Sequence, residues 1–128
     1  MAAEPKKVVQ PPNTAPNRPF SAALEVGDTL YVSGMTGSGK DGKISEKFEE
    51  EVQQTIDNIA ATMKAGGWSL ADAVAVQVYL TDMDLFGRMN AVYIANFKEP
   101  RPTRTTVGVA KLVGTAKIEI TVTARRTK

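Results

Sequence analysis

Three residues near the end of the chain, Arg104, Thr106 and Glu119, carry side chains that could act together on a small molecule. A guanidinium forms paired hydrogen bonds with a carboxylate, a hydroxyl donates and accepts, and a carboxylate can hold or deprotonate water. On a solvated sheet face, however, a pair of opposite charges stabilises the sheet by only about 0.2–1 kcal/mol. The pattern by itself favours such a solvated surface and leaves a reactive site as the second interpretation.

The strands that must position these residues alternate apolar and polar side chains with a period of two. One arm covers residues 104–110 and the other residues 117–124, with Gly114 between them, so the pattern predicts a β-hairpin. A slip of one residue would mismatch every apolar position, which fixes the two faces of that hairpin. The buried face receives Val107, Val109, Ile118, Ile120 and Val122, and the other face receives Arg104, Thr106 and Glu119.

The composition is that of one globular domain: 128 residues, 42% hydrophobic and 23% charged. A net charge of +2 is too small to indicate nucleic-acid binding. The absence of cysteine and histidine excludes disulfides, a thiolate nucleophile, an imidazole base and the usual zinc ligands. No apolar run approaches the ~20 residues of a membrane span, and no secretory signal is apparent, so we expect a cytoplasmic protein.

The remaining segments predict an α+β domain with the order ββαβαββ. Residues 1–16 contain four prolines and are expected to form a disordered or extended tail outside the fold, followed by a single domain over residues 17–128. Gly27-Asp28 separates two strand patterns and predicts a first hairpin. Apolar residues at steps of three and four predict a helix from an N-cap at Ser45 to Gly66, and a second helix capped by Asp84.

Two local patterns have a structural explanation beside a functional one. The acidic run Glu49–Glu51 in the first helix is expected to be a solvated face that suits the helix dipole, rather than a metal site. Gly34, Gly39 and Lys40 fit the spacing of a phosphate loop. Asp41 follows them where that loop needs Ser or Thr, so we favour a flexible loop beside a site.

Two helices cover only one face of the predicted sheet, and nothing in the chain remains to cover the other. Residues 73–81 alternate as a third strand that adds to both faces. The covered face is expected to carry Val74, Val76, Val78, Val107 and Ile120, and the open face Tyr31, Ser33, Gln77, Tyr79, Arg104, Thr106 and Glu119. The open face is too polar for a core, so we expect copies of the chain to associate and leave a polar cleft between them.

The run from Arg104 to Leu112, followed by residues 117–120, resembles the signature of the RidA/YjgF family of imine and enamine deaminases, once described as ribonucleases. The likeness extends from Pro19-Phe20 to Ala124. It implies a chorismate-mutase-like α+β fold with two helices on one face of a mixed sheet. It also implies a homotrimer with sites between subunits, which agrees with the association expected from the open face.

For the site, the resemblance implies hydrolysis of small 2-imino acids, such as 2-iminopropanoate and 2-iminobutanoate, to 2-keto acids and ammonia. Arg104 would hold the carboxylate, Glu119 would position water, and Thr106 would lie beside them. Ser33 and Asn90 would line or support the cleft. The reaction requires no metal and no cofactor.

Two departures from the family pattern concern the substrate pocket. Phe20 stands where many relatives have Tyr, and Met35 where many have Gln, so the substrate preference and the rate are expected to differ. A binding module that grips small carboxylates without turnover is therefore a second hypothesis. A ribonuclease is a third, with less support because the chain has no histidine and no basic stripe with interleaved aromatic residues. We expect neither a nucleic-acid partner nor a membrane partner.

Overall fold

Six strands and two helices make up the domain, and the computed structural model describes residues 5–126. The strands are β1 (Lys7–Val9), β2 (Ala23–Val26), β3 (Thr29–Met35), β4 (Ala73–Leu80), β5 (Thr103–Gly108) and β6 (Ile118–Arg125). The helices are α1 (Phe48–Ala65) and α2 (Phe86–Asn96). The strands form one mixed sheet in the order β1-β2-β3-β6-β4-β5. Residues 1–4, from the predicted tail, and residues 127–128, from the predicted domain, lie outside the described residues.

Both helices pack on the same face of the sheet, which confirms the predicted α+β class. The core between the layers is apolar, and its burial is the main force that holds the layers together. Side chains with no exposed surface come from every layer: Leu30, Val52, Ile56, Ile59, Met63, Val78, Leu80, Met89, Ile118, Ile120 and Val122. Among the described residues, neither helix has the length and apolar character needed to cross a membrane.

The predicted helices are present, with small changes at their first turns. α1 ends at Gly66-Gly67 as expected, and Gly67 adopts a φ of 77°, which favours glycine. Ser45 does not cap α1 directly. Its hydroxyl instead accepts a hydrogen bond from the Lys47 amide at 3.1 Å. A short 3₁₀ turn precedes α2, and Asp82 rather than Asp84 caps that turn.

The predicted hairpin between residues 104–110 and 117–124 is wrong. β4 lies between β5 and β6, pairing in parallel with β5 and antiparallel with β6. The crossover from β4 through α2 to β5 is the usual way to join parallel neighbours. Both segments keep their alternation of apolar and polar residues, but each pairs with β4 instead of with the other segment.

Insertion of β4 also reverses the face that β5 presents to the helices. Val76 of β4 pairs with Arg104 on one side and with buried Val122 on the other, so Arg104 projects toward the helices. Tyr79 pairs in the same way with Val107 and Glu119, and this row faces away from the helices. Val107 is 41% exposed there, contrary to its predicted burial.

Two further segments differ from expectation, one through strand pairing and one through a bulge. Residues 7–9 pair with β2 as an edge strand and Val9 is buried, so this part of the proline-rich segment belongs to the sheet. Val74 was expected on the covered face. A bulge between Ala73 and Ala75 breaks the alternation and leaves Val74 45% exposed.

The acidic run at the start of α1 is only partly solvated, because Glu51 is completely buried. Its Oε2 accepts hydrogen bonds from the backbone amides of Lys117 at 2.7 Å and Ile118 at 3.3 Å. These contacts tie the first turn of α1 to the start of β6. Glu51 therefore holds the strand that carries Glu119.

Candidate functional site: two half-sites on opposite faces

Glu119 lines a cavity of about 600 Å³ at the end of β3. We call this cavity the acid pocket; its wall includes Phe20, Ser33, Gly34, Met35, Val113 and Glu119. The Ser33 hydroxyl donates to the Ser21 carbonyl at 2.6 Å, which fixes the wall to the segment before β2. Within residues 5–126, the Glu119 carboxylate has no hydrogen-bond or ion-pair partner. It is therefore available to water or a ligand.

A bulge in β3 brings Gly34 against the Glu119 carboxylate. The register of β3 on β6 shifts between Val32 and Met35. A Cβ atom at Gly34 would overlap Oε2 of Glu119 and lie 3.2 Å from the hydroxyl of Thr121. The absence of a side chain at this position is thus what leaves room for the acid.

Arg104 forms the second half-site, which lies beneath α2 and which we call the arginine pocket. Its guanidinium carbon is 4.7 Å from the centre of the Tyr93 ring and 5.5 Å from that of Phe86. Tyr93 in turn stacks on Phe97 with 4.4 Å between ring centres. Such π faces attract the cation while leaving its N–H edge free. Apart from a 3.9 Å contact with the Met89 sulfur, the guanidinium has no polar side-chain partner among the described residues.

Two buried polar atoms on α2, the helix above this guanidinium, lack hydrogen-bond partners within the described part of the chain. Asn90 Oδ1 and the Tyr93 hydroxyl are buried and form no hydrogen bond. Burial raises the pKa of the Tyr93 phenol, although the positive charges of Arg104 and Arg101 oppose that shift. Thr106 lies two residues from Arg104 on the same face of β5 and is half-buried. Buried polar groups normally find partners, so this cluster is suited to a polar ligand.

The two half-sites of one protomer do not face each other, contrary to the prediction that Arg104 and Glu119 share a face. β4 separates their strands, which corresponds to about 10 Å of sheet. Their side chains also leave the sheet in opposite directions. A single protomer therefore presents an acid on one face and a cation on the other.

A family model described as Endoribonuclease L-PSP matches residues 11–126. The crystal structure of the YjgF gene product from Escherichia coli superposes with a TM-score of 0.86 and 29% identity, covering 94% of this chain and 99% of that one. The chain belongs to the RidA/YjgF family. Its expected fold is thereby confirmed.

Other RidA/YjgF relatives are similar over nearly their whole length. A 2-iminobutanoate/2-iminopropanoate deaminase from Dermatophagoides farinae is 34% identical over 119 residues, which is 91% of this chain and 93% of that protein. The crystal structure of RidA from an Antarctic Psychrobacter has a TM-score of 0.85 and 34% identity, covering 94% of this chain and 99% of that one. The family thus includes named imine deaminases.

The RidA/YjgF fold groups the residues selected from the sequence into two sets. Phe20, Ser33 and Met35 lie with Glu119 in the acid pocket. Thr106 lies on β5 with Arg104, and Asn90 lies on α2, the helix above Arg104. Sequence reasoning assigned the α2 aromatic residues to the core and so missed Phe86 and Tyr93 as supports for Arg104. Arg18 of the acid pocket was also missed. Among residues 5–126, no group of three or more acidic side chains could hold a metal ion.

Proposed function

We propose that this protein hydrolyses small 2-imino acids to 2-keto acids and ammonia. Water adds to the imine carbon, both protons of that water pass in turn to nitrogen, the carbon–nitrogen bond breaks to release ammonia, and the oxygen of water remains as the keto group. The family membership and the name of the Dermatophagoides relative support this reaction class. Candidate substrates are 2-iminopropanoate and 2-iminobutanoate.

The observation that carries this proposal is the partly buried environment of Arg104, in which it contacts aromatic rings but no acidic side chain. Its guanidinium is half-buried, contacts two aromatic rings and has no carboxylate partner among the described residues. A planar guanidinium in this state is suited to bind a substrate carboxylate by two parallel hydrogen bonds. Thr106 and Asn90 would complete the polar surface around that carboxylate.

The acid needed for the reaction must come from a second copy of the chain. In a 2-imino acid the carboxyl carbon is bonded directly to the imine carbon, so the anchor and the water-positioning group must lie within a few ångströms of each other. Arg104 and Glu119 of one protomer project from opposite faces, which prevents this. We therefore infer that Arg104 of one protomer meets Glu119 of a neighbour in a homo-oligomer, and the family resemblance favours a trimer.

The open face of the sheet provides a surface for this association. Tyr31 and Val107 are 53% and 41% exposed on it, and Tyr79 and Gln77 form a hydrogen bond of 2.9 Å across it. Exposed aromatic and aliphatic side chains of this kind are enriched in protein interfaces. Packing one open face against a neighbour would bury these side chains and bring β5 of one copy toward the acid pocket of the next.

In the composite site, Glu119 would hold the attacking water and transfer its proton to the departing nitrogen. Ser33 and Gly34 would form the wall on one side of the water. Phe20 and Met35 would contact the substrate side chain, because they are the largest apolar side chains among the residues that line the acid pocket. No step in this scheme requires a metal or cofactor.

The decisive test generates 2-iminopropanoate or 2-iminobutanoate in situ with an amino-acid oxidase or dehydratase. Loss of the imine is followed with semicarbazide as the competing trap. We expect the protein to suppress semicarbazone formation in proportion to its concentration. Equal semicarbazone yields with and without the protein would eliminate the proposed activity.

A second candidate function is carboxylate binding without turnover, and Phe20 is the observation that favours it. Phe20 lines the acid pocket but has no hydroxyl to hold a substrate or water. Under this alternative, 2-keto acids would bind in calorimetry while no imine is hydrolysed. The ribonuclease activity suggested by the family description has less support, because the chain has no histidine for general acid–base chemistry.

A further inference from the structure

Two arginines differ from the others in having no acidic partner among residues 5–126: Arg18 and Arg104. Each of the remaining arginines lies within 4.0 Å of a carboxylate oxygen. The pairs are Arg88–Glu49 at 2.7 Å, Arg101–Glu99 at 3.2 Å, Arg125–Asp28 at 3.0 Å and Arg126–Glu25 at 4.0 Å. Arg104 is explained by the proposed function, whereas Arg18 is not.

Arg18 lines the acid pocket, as does Glu119. Its guanidinium carbon is 4.8 Å from the centre of the Phe20 ring. The Phe20 ring therefore supports Arg18 as the Tyr93 ring supports Arg104, and in both cases the N–H edge remains free. The composite site thus contains two unpaired guanidinium groups, one from each half-site.

We propose that Arg18 binds a second carboxylate and that the site selects dicarboxylic 2-imino acids, such as 2-iminoglutarate. This inference rests on the proposed function. The carboxylate next to the imine carbon binds Arg104 of one protomer, and the distal carboxylate reaches Arg18 beside Glu119 of the other. The cavity of about 600 Å³ falls within the range of small-molecule pockets and has room for the longer substrate.

The chemistry is that of the proposed reaction, and its balance does not change. 2-Iminoglutarate and water give 2-oxoglutarate and ammonia, and the distal carboxylate takes no part in bond formation. Arg18 is thus a specificity-determining residue rather than a catalytic one. Because Arg18 is exposed, screening by solvent limits its effect, and we expect a preference of about two- to five-fold.

The experiment compares 2-iminoglutarate, made in situ by a glutamate oxidase, with 2-iminobutanoate, made by a dehydratase. The proteins are the wild type, Arg18→Gln and the control Arg88→Gln, which removes the same charge outside the acid pocket. We expect the ratio of kcat/KM for 2-iminoglutarate over 2-iminobutanoate to fall about two- to five-fold in Arg18→Gln. The ratio in Arg88→Gln should equal that of the wild type.

A ratio that is the same in all three proteins would overturn the inference. So would an equal loss of both activities in Arg18→Gln, because Arg18 would then serve the carboxylate that all substrates share. If the wild type hydrolyses neither imine, the proposed function fails, and calorimetry with 2-oxoglutarate and 2-oxobutanoate decides the inference separately. A selective loss of 2-oxoglutarate binding in Arg18→Gln supports it, and unchanged binding overturns it.

Discussion

Arg104 and Glu119 project from opposite faces of one sheet, with the strand between them paired to both of their own strands. The arginine packs under α2 against aromatic rings, and the acid lines a cavity at the end of β3. If these groups act on one substrate, each active site draws on two protomers. The first two predictions test this relationship directly.

Mixing two inactive variants should restore activity. Arg104→Gln and Glu119→Gln each remove one half-site, but a mixed oligomer brings an intact arginine pocket against an intact acid pocket. After co-refolding of equal amounts, random association should yield about a quarter of wild-type activity, measured by suppression of semicarbazone formation. A mixture as inactive as its components would mean that both groups serve the same protomer's site.

Arg104→Gln alone should reduce kcat/KM by roughly 30-fold to several thousand-fold. Loss of a desolvated charged partner typically costs about 2–5 kcal/mol, which corresponds to that range. Steady-state kinetics with 2-iminobutanoate provide the measurement, with Arg88→Gln as the control for loss of a positive charge. Similar kinetics for the two variants would argue against a carboxylate anchor at Arg104.

Gly34→Ala should lower activity with little effect on stability. The new methyl group would overlap Oε2 of Glu119, and the end of a flexible side chain can move away at small cost. We expect at least a ten-fold loss of kcat/KM and a change in unfolding free energy below about 1 kcal/mol.

The control for that substitution is Gly87→Ala. Gly87 lies in α2, and apart from its chain neighbours and the backbone of its own helix no atom lies within 4 Å of the place that an alanine methyl group would occupy there. Alanine should therefore stabilise the helix by up to about 1 kcal/mol and leave activity near that of the wild type. Unchanged activity in Gly34→Ala would show that the position of the Glu119 carboxylate is not critical.

Glu51→Ala should destabilise the domain by about 2–3 kcal/mol. The substitution leaves the amides of Lys117 and Ile118 without their carboxylate acceptor and opens a cavity beside α1. Urea unfolding would measure the loss. The neighbouring exposed residue provides the control, and Glu50→Ala should change stability by less than about 0.5 kcal/mol.

The ion pair between Glu49 and Arg88 should contribute to acid sensitivity. Hydrogen bonding to Arg88 lowers the pKa of Glu49 from 4.5 to about 2. Between about pH 5 and pH 2 the carboxylate therefore stays ionised in the folded state but becomes protonated in the unfolded state. The stabilisation of the folded state by this ion pair is present above about pH 5 and is lost as the pH falls to 2. The difference in unfolding free energy between wild type and Glu49→Gln should thus shrink from pH 6 to pH 2. A difference that is constant over this range would contradict the assignment.

Local sequence patterns predicted those parts of the fold whose partners are close in the chain. The hairpin at Gly27-Asp28 forms with Val26 opposite Thr29, and Gly27 adopts a φ of 58°. α1 follows its apolar spacing and ends at the predicted glycines. These elements are governed by turn chemistry and helix periodicity, which a short window of sequence contains.

The pairing of β5 could not be predicted in the same way. Alternation divides the side chains of a strand between the two faces of the sheet. Which of these two groups lies under the helices depends on the strand that pairs with it. The parallel neighbour of β5 is β4, and α2 supplies aromatic rings that accommodate Arg104 on the covered face. A charged residue under a helix is therefore tolerated, while Val107 remains on the open face.

The burial of Glu51 was missed for a related reason. It stands in a run of three glutamates, and only its position on α1 distinguishes it from the exposed member beside it. The amide donors that it satisfies begin 66 residues later in the chain, at the start of β6. Such a contact depends on the assembled layers, and no local pattern indicates it.

The position of β6 has a consequence for how the chain is made. The last strand lies between β3 and β4, so it alone joins the β1-β2-β3 half of the sheet to the β4-β5 half. Until β6 leaves the ribosome, the two halves have unpaired inner edges and exposed apolar surface. Chains that lack β6 would thus be prone to aggregate, whereas the addition of β6 closes both edges in one step.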